Sequence, residues 1–261
     1  MSQDLRVWDL KMSFKPVSLA IIFTIAFLTG APTKAEVSQE AELDLALRLA
    51  VLLQSARAVI GAEQALINDP AIGDKGLTGK EVLARATKAF VEKTGAPPLS
   101  DGMDAREADL ISALMASITE VMDANAASIN REGIAFKGFV PAVFGRLVNE
   151  TFLSKAGDRA EIKVTAPMSL VRNRKSRPDA WEDQVITEYL LSPEWQKGAV
   201  YSSLTETGDR EAFRVMVPEY YTEGCLACHG SPAGEVDVTG YPKEGGALGD
   251  LGGVISITLY P

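Results

Sequence analysis

The stretch Cys225-Leu226-Ala227-Cys228-His229 holds every cysteine and the only histidine of this 261-residue chain. Any fold it adopts must present all its thiol and imidazole donors on one short turn near the C-terminal end. Two thiols three residues apart lie on one side of a helical turn, and the next residue brings an imidazole to the same place. This spacing is the attachment pattern of a c-type haem. Each sulfur adds to one vinyl group on a shared porphyrin edge, and the histidine becomes the proximal iron ligand. One covalently attached haem c is therefore the expected cofactor, held by Cys225 and Cys228 with His229 as the metal ligand. Competing readings explain less. A structural zinc site needs four Cys or His ligands, and the chain has three. A thioredoxin-like pair opens a helix in a βαβ unit, whereas residues 230–253 are a loop holding eight of the 22 glycines. A plain disulfide leaves the adjacent histidine without a role.

The N-terminal stretch reads as a leader. Lys11 and Lys15 precede an apolar run over 17–28, and Thr33-Lys34-Ala35 supplies small residues before a break. The run is short for a bilayer span and has the layout of a secretory signal. Cleavage near Ala35 and a periplasmic location are expected, with an uncleaved anchor as the competing reading. Asp4 and Asp9 are unusual in the charged start of a signal, so initiation at Met12 is an alternative. Export agrees with the motif, because c-type haem is attached outside the bacterial cytoplasm. The remaining 226 residues form one haem-binding domain, helical over 36–157 and sheet-bearing over 158–261. The formal charge is −9 overall and about −11 without the leader. This balance argues against nucleic acid or an anionic membrane as partner.

Periodicity orders the rest. Residues 38–68 read as a helix, apolar on nearly every side over 43–53, which is buried in a bundle or pairs with a second copy as a homodimer. Thr78-Gly79-Lys80-Glu81 has the form of a capping box and starts a helix ending near Gly95. A third helix over 104–129 carries Ile111, Leu114, Met115, Ile118 and Met122 on one stripe. Pro141 suits the first turn of a helix ending before Gly157. Strands then follow at 161–166, 199–204, 211–217 and 254–259, with a capped helix at 179–192 and Gly208-Asp209 turning a hairpin. Late strands with hairpin connections predict an α+β fold with an antiparallel sheet and helices on one side.

Several stretches carry a family likeness: Gly73-Asp74-Lys75-Gly76-Leu77-Thr78-Gly79, Phe136-Lys137-Gly138-Phe139-Val140-Pro141-Ala142, Arg172-Asn173, and Pro178-Asp179-Ala180-Trp181-Glu182. Cys225 to Gly230, Tyr241-Pro242-Lys243-Glu244-Gly245 and Leu248-Gly249-Asp250-Leu251-Gly252-Gly253 complete the set. Together they resemble the c-type haem-binding PAS-like domain of bacterial periplasmic sensor proteins, found alone or ahead of histidine kinases, over about residues 42–258. The resemblance implies a PAS-like antiparallel sheet wrapped by long helices, one haem, and redox or gas sensing. At least one such protein uses a cysteine as second axial ligand, and this chain has no third cysteine. No output domain lies within the chain, so a separate partner is expected to read the signal.

Other chemistry is sparse. With one histidine, no His-based triad or acid–base pair exists, so no enzymatic role is expected. The glycines at 245–249 lack the strand–turn–helix context of a nucleotide loop. They suit close approach of the backbone to a porphyrin. Arg172, Arg174, Lys175 and Arg177 form a basic loop in an acidic protein, and Arg172 is the candidate for gripping the haem propionates. For the distal face, Met168 directly before that loop leads, with an open iron and Lys137 as alternatives. Two functions stay open: a sensor module acting through a partner, and a monohaem electron carrier. About 120 helical residues precede the first strand, more bulk than shielding one haem needs, which favours the sensor.

Overall fold

The computed structural model describes residues 34–260. The leader expected over 1–35 lies outside the described residues except for its last two positions. The chain runs α1 (Lys34–Ala62), α2 (Gln64–Ile67), α3 (Gly79–Thr94), α4 (Ala105–Ile129), α5 (Pro141–Ala156), β1 (Ala160–Thr165), α6 (Ala180–Val185), β2 (Tyr201–Thr207), β3 (Arg210–Tyr220), α7 (Glu223–His229) and β4 (Leu251–Leu259). Short 3₁₀ turns at Met168–Leu170 and Arg174–Ser176 sit between β1 and α6.

Helix ends follow local chemistry. The Thr78 side chain accepts from the Glu81 amide at the start of α3, and Gly95 closes it at φ 77°. Asp104 caps α4 through the Glu107 amide, and Pro141 opens α5. A capping box of Asp179 and Glu182 starts α6. That element was expected to run to Ser192. Instead the α-helix stops at Val185 and continues as a π-turn over Ile186–Leu190, with the Leu191 amide donating to the Ile186 carbonyl at 3.0 Å. The wider turn puts Val185, Ile186 and Leu190 into one small apolar cluster on the sheet.

The strands form one antiparallel sheet in the order β1-β4-β3-β2. Gly208 (φ 62°) and Asp209 make the two-residue turn between β2 and β3, with glycine where a type II′ turn requires positive φ. Both strands outrun the sequence expectation, because the ladder continues through polar edge residues such as Thr205 and Glu206. The last strand of the chain is central, and seven of its nine residues are buried. One sheet face, with Phe213, Val215, Ile255, Ile257 and Leu259, packs on the helices as the main core. The other carries Met216 and Val254 under α6, with Trp181, Trp195 and Tyr201 around them.

This is the α+β fold with long N-terminal helices packed against an antiparallel sheet. Helix α1 is long and apolar enough over Gln39–Ala62 to cross a bilayer, yet half of that stretch is buried. Leu45, Ala46, Leu49, Ala50, Leu52 and Leu53 are sealed in the core of their own chain. Among the described side chains of this helix, the larger apolar ones that a homodimer could still use, such as Leu43, Leu47 and Val51, are half-buried.

Candidate functional site

Helix α7 follows β3 after two residues and ends on the only histidine. Thr222 supports its first turn: the Cys225 amide donates to the Thr222 carbonyl at 2.9 Å, and the Thr222 amide and hydroxyl lie 3.4 and 3.3 Å from Cys225 Sγ. The Gly230 amide closes the helix onto the Leu226 carbonyl at 2.9 Å. Cys225 and Cys228 are both free and half-buried. Burial pushes the Cys228 thiol up, and the negative charge of Asp237 adds to this.

The glycine-rich loop folds back over the end of α7. The Gly246 amide donates to the His229 carbonyl at 2.8 Å, and the Gly249 amide to the Tyr221 carbonyl at 2.9 Å. The Tyr221 ring stacks on the His229 imidazole, with centroids 5.2 Å apart and planes 19° from parallel. Two glycines hold that ring edge-on. A Cβ at Gly246 would stand 2.5 Å from Tyr221 Cε2, and one at Gly252 would stand 2.2 Å from Cε1. Burial first and Glu244 second push the Tyr221 hydroxyl up to about 12. That hydroxyl is buried without a hydrogen-bond partner among the described residues.

A charged cluster lies beneath the imidazole. His229 Nδ1 is 2.8 Å from Glu244 Oε2. Arg172 grips the same carboxylate with two donors, Nε to Oε1 at 2.7 Å and Nη2 to Oε2 at 3.0 Å. Its Nη1 donates to Asp237 Oδ2 at 2.7 Å, and Nη2 also donates to the Cys228 carbonyl at 2.8 Å. Asp237, its side chain fully buried, accepts at Oδ1 from the Thr239 amide and hydroxyl at 2.7 and 2.6 Å. Burial would raise the Glu244 carboxyl, yet Arg172 and His229 hold it below its usual value. Asp237 is held further down, its burial outweighed by Thr239 and Arg172. For Arg172 burial works downward, and the two carboxylates more than reverse it. A carboxylate that stays ionised can only accept, so the hydrogen of this contact is on Nδ1 of His229, which in the neutral imidazole leaves the lone pair on Nε2.

Of the residues expected from the sequence, Cys225, Cys228 and His229 share α7, and Arg172 lies directly against them. Arg172 was expected to grip propionates. Its fork is instead taken by Glu244, Asp237 and the Cys228 carbonyl, which makes it a brace for the motif. Met168 is 52 % exposed and belongs to neither apolar cluster. Lys137 donates its ammonium to the Arg131 and Ile134 carbonyls of its own loop. Glu244, Asp237 and Tyr221 were missed. Glu244 stood in a stretch carrying the family likeness, but nothing in the sequence paired it with a histidine 15 positions away.

A c-type haem fits this donor set by its chemistry. Two free thiols on one seven-residue helix suit thioether formation, and an imidazole with Nε2 open suits iron ligation. A family model described as Tll0287-like matches residues 83–259, more than half of the chain. The chain belongs to the Tll0287-like family. The match takes in β1 to β4, α7 and every residue of the Arg172–Glu244–His229 cluster, so the site lies wholly inside the Tll0287-like region. No curated protein and no solved structure matches the chain.

Proposed function

We propose that this protein is an exported, periplasmic c-type haem protein that serves as a redox or gas sensor module and acts through a separate partner. One observation carries the haem reading: two free thiols and an imidazole share α7, with Nδ1 on a carboxylate and Nε2 left for a metal. Cys225 and Cys228 hold the porphyrin, and His229 ligates the iron. When bound, the haem supplies an iron centre that changes oxidation state and takes a small diatomic ligand. Tyr221 walls one face of the imidazole, and Arg172 ties Cys228 to Glu244. The exposed apolar side chains Val236, Val238 and Leu248 of the loop after α7 offer surface for a porphyrin to cover. On this reading the protein binds and reports, with no catalytic residue.

One contact favours sensing over electron carriage. Arg57 of α1 donates to Glu219 of β3 at 2.6 Å, both side chains about four-fifths buried. Glu219 lies at a break in strand register, two residues before the Tyr221 that stacks on His229. The longest helix is thus tied by an ion pair to the strand that feeds the haem motif, a link that electron transfer does not need. The haem reading is tested by expression with a c-type maturation system. The colour should stay with the protein after acid–acetone extraction and be lost in Cys225→Ser/Cys228→Ser. Haem passing into the organic layer would overturn it.

A further inference from the structure

We infer that Glu244, clamped by Arg172, is the positioning residue for His229: it fixes the imidazole tautomer and plane and makes the proximal ligand a stronger donor to the iron. The inference rests on the haem reading above and deepens it. Hydrogen-bonded carboxylates behind metal-bound histidines commonly set tautomer and basicity. Here the carboxylate has little freedom of its own. Oε1 and Oε2 both accept from Arg172, at 2.7 and 3.0 Å, and Oε2 also meets His229 Nδ1 at 2.8 Å. Bidentate pairing with a guanidinium fixes the carboxylate plane. Arg172 is itself anchored on Asp237 and on the Cys228 carbonyl. Cys228 precedes His229, so the chain of contacts leaves the motif at one residue and returns at the next. The loop closes without passing through solvent-exposed groups. The stacked Tyr221 ring then restricts rotation of the imidazole from its face. Arg172, Asp237 and Glu244 together carry one net negative charge beside the ligand. Such a charge favours the ferric over the ferrous state.

Two variants separate the parts of this role. Glu244→Gln keeps the shape and removes the charge, and Glu244→Ala removes the acceptor. Because His229 is the only histidine, ¹⁵N-imidazole labelling of the full chain gives a single two-nitrogen pattern. At about pH 8, where histidine is ordinarily neutral, the haem-free protein should show Nδ1 protonated and Nε2 bare. Glu244→Ala should shift the pattern toward the Nε2–H tautomer. In the haem-loaded protein, Glu244→Gln should lower the iron–histidine stretching frequency in resonance Raman spectra and raise the midpoint potential. Unchanged tautomer, stretch and potential in folded variants would overturn the inference while leaving a covalently held haem intact. If the wild type takes no covalent haem yet loses its tautomer in Glu244→Ala, the haem reading falls and the hold of Glu244 on His229 stands.

Discussion

At the scale of single residues, the site is decided by which donors are already occupied. Arg172 reads in the sequence as the candidate for gripping the haem propionates, and in the structure it binds the buried Asp237 and half-buried Glu244 carboxylates and a carbonyl. Leaving partly buried carboxylates unpaired is costly, so Arg172→Ala should lose about 3 kcal/mol near pH 7. The pH dependence follows from sign. Glu244 and Asp237 both titrate lower folded than unfolded. Their stabilisation is complete above about pH 5 and is lost as pH falls through the ordinary carboxylate range toward the depressed folded values. Thermal melts from pH 7 down to 3 should therefore show wild type and Arg172→Ala converging on the acid side. Parallel curves would deny the pairing. Met168 gives a second test at this scale. If it ligates the haem-loaded iron, Met168→Ala should abolish a far-red sulfur-to-iron charge-transfer band. An iron open on that face shows no such band, binds CO rapidly once reduced, and is indifferent to the substitution.

At the scale of elements, α6 and its π-turn are held by a charged anchor at their start as well as by the apolar cluster under Val185, Ile186 and Leu190. Arg214 of β3 is 6 % exposed, pairs with Asp179 at 2.7 Å and Glu182 at 3.4 Å, and lies 4.2 Å from the Trp181 ring centre. Arg214→Ala leaves the buried Glu182 with the Lys163 ammonium and the Asp179 amide as partners. Amide exchange should accelerate over residues 180–190 while α4 and α5 keep their protection. Uniform acceleration would show that the sheet core, and not this clamp, holds the element. The caps of α3 and α6 were legible in advance, because an N-cap contact joins residues only three positions apart. The π-turn was not, since only packing of Ile186 and Leu190 on the far side of the sheet selects it over a regular helix.

At the scale of the whole molecule, the helices and the sheet share one apolar core, and the Arg57–Glu219 ion pair adds a charged link between them. Gly145 of α5 makes room for this pair: a Cβ there would lie 2.9 Å from Arg57 Cδ. If α1 reports the state of the haem, reduction should change amide exchange in α1, and Arg57→Gln should abolish that change without releasing the haem. An electron carrier would show equal α1 protection in both oxidation states. The sequence by itself determined the α+β class, the positions of the main helices and strands, and the Cys-x-x-Cys-His turn. Periodicity, caps and covalent spacing act over a few residues and are written locally. Only the tertiary structure decided that β4 is central, that Arg172 braces the motif, and that Glu244 and Tyr221 enclose His229. Those contacts join positions 8 to 72 residues apart. They form when the chain closes around its core, and no local pattern encodes which distant carboxylate a buried arginine will meet.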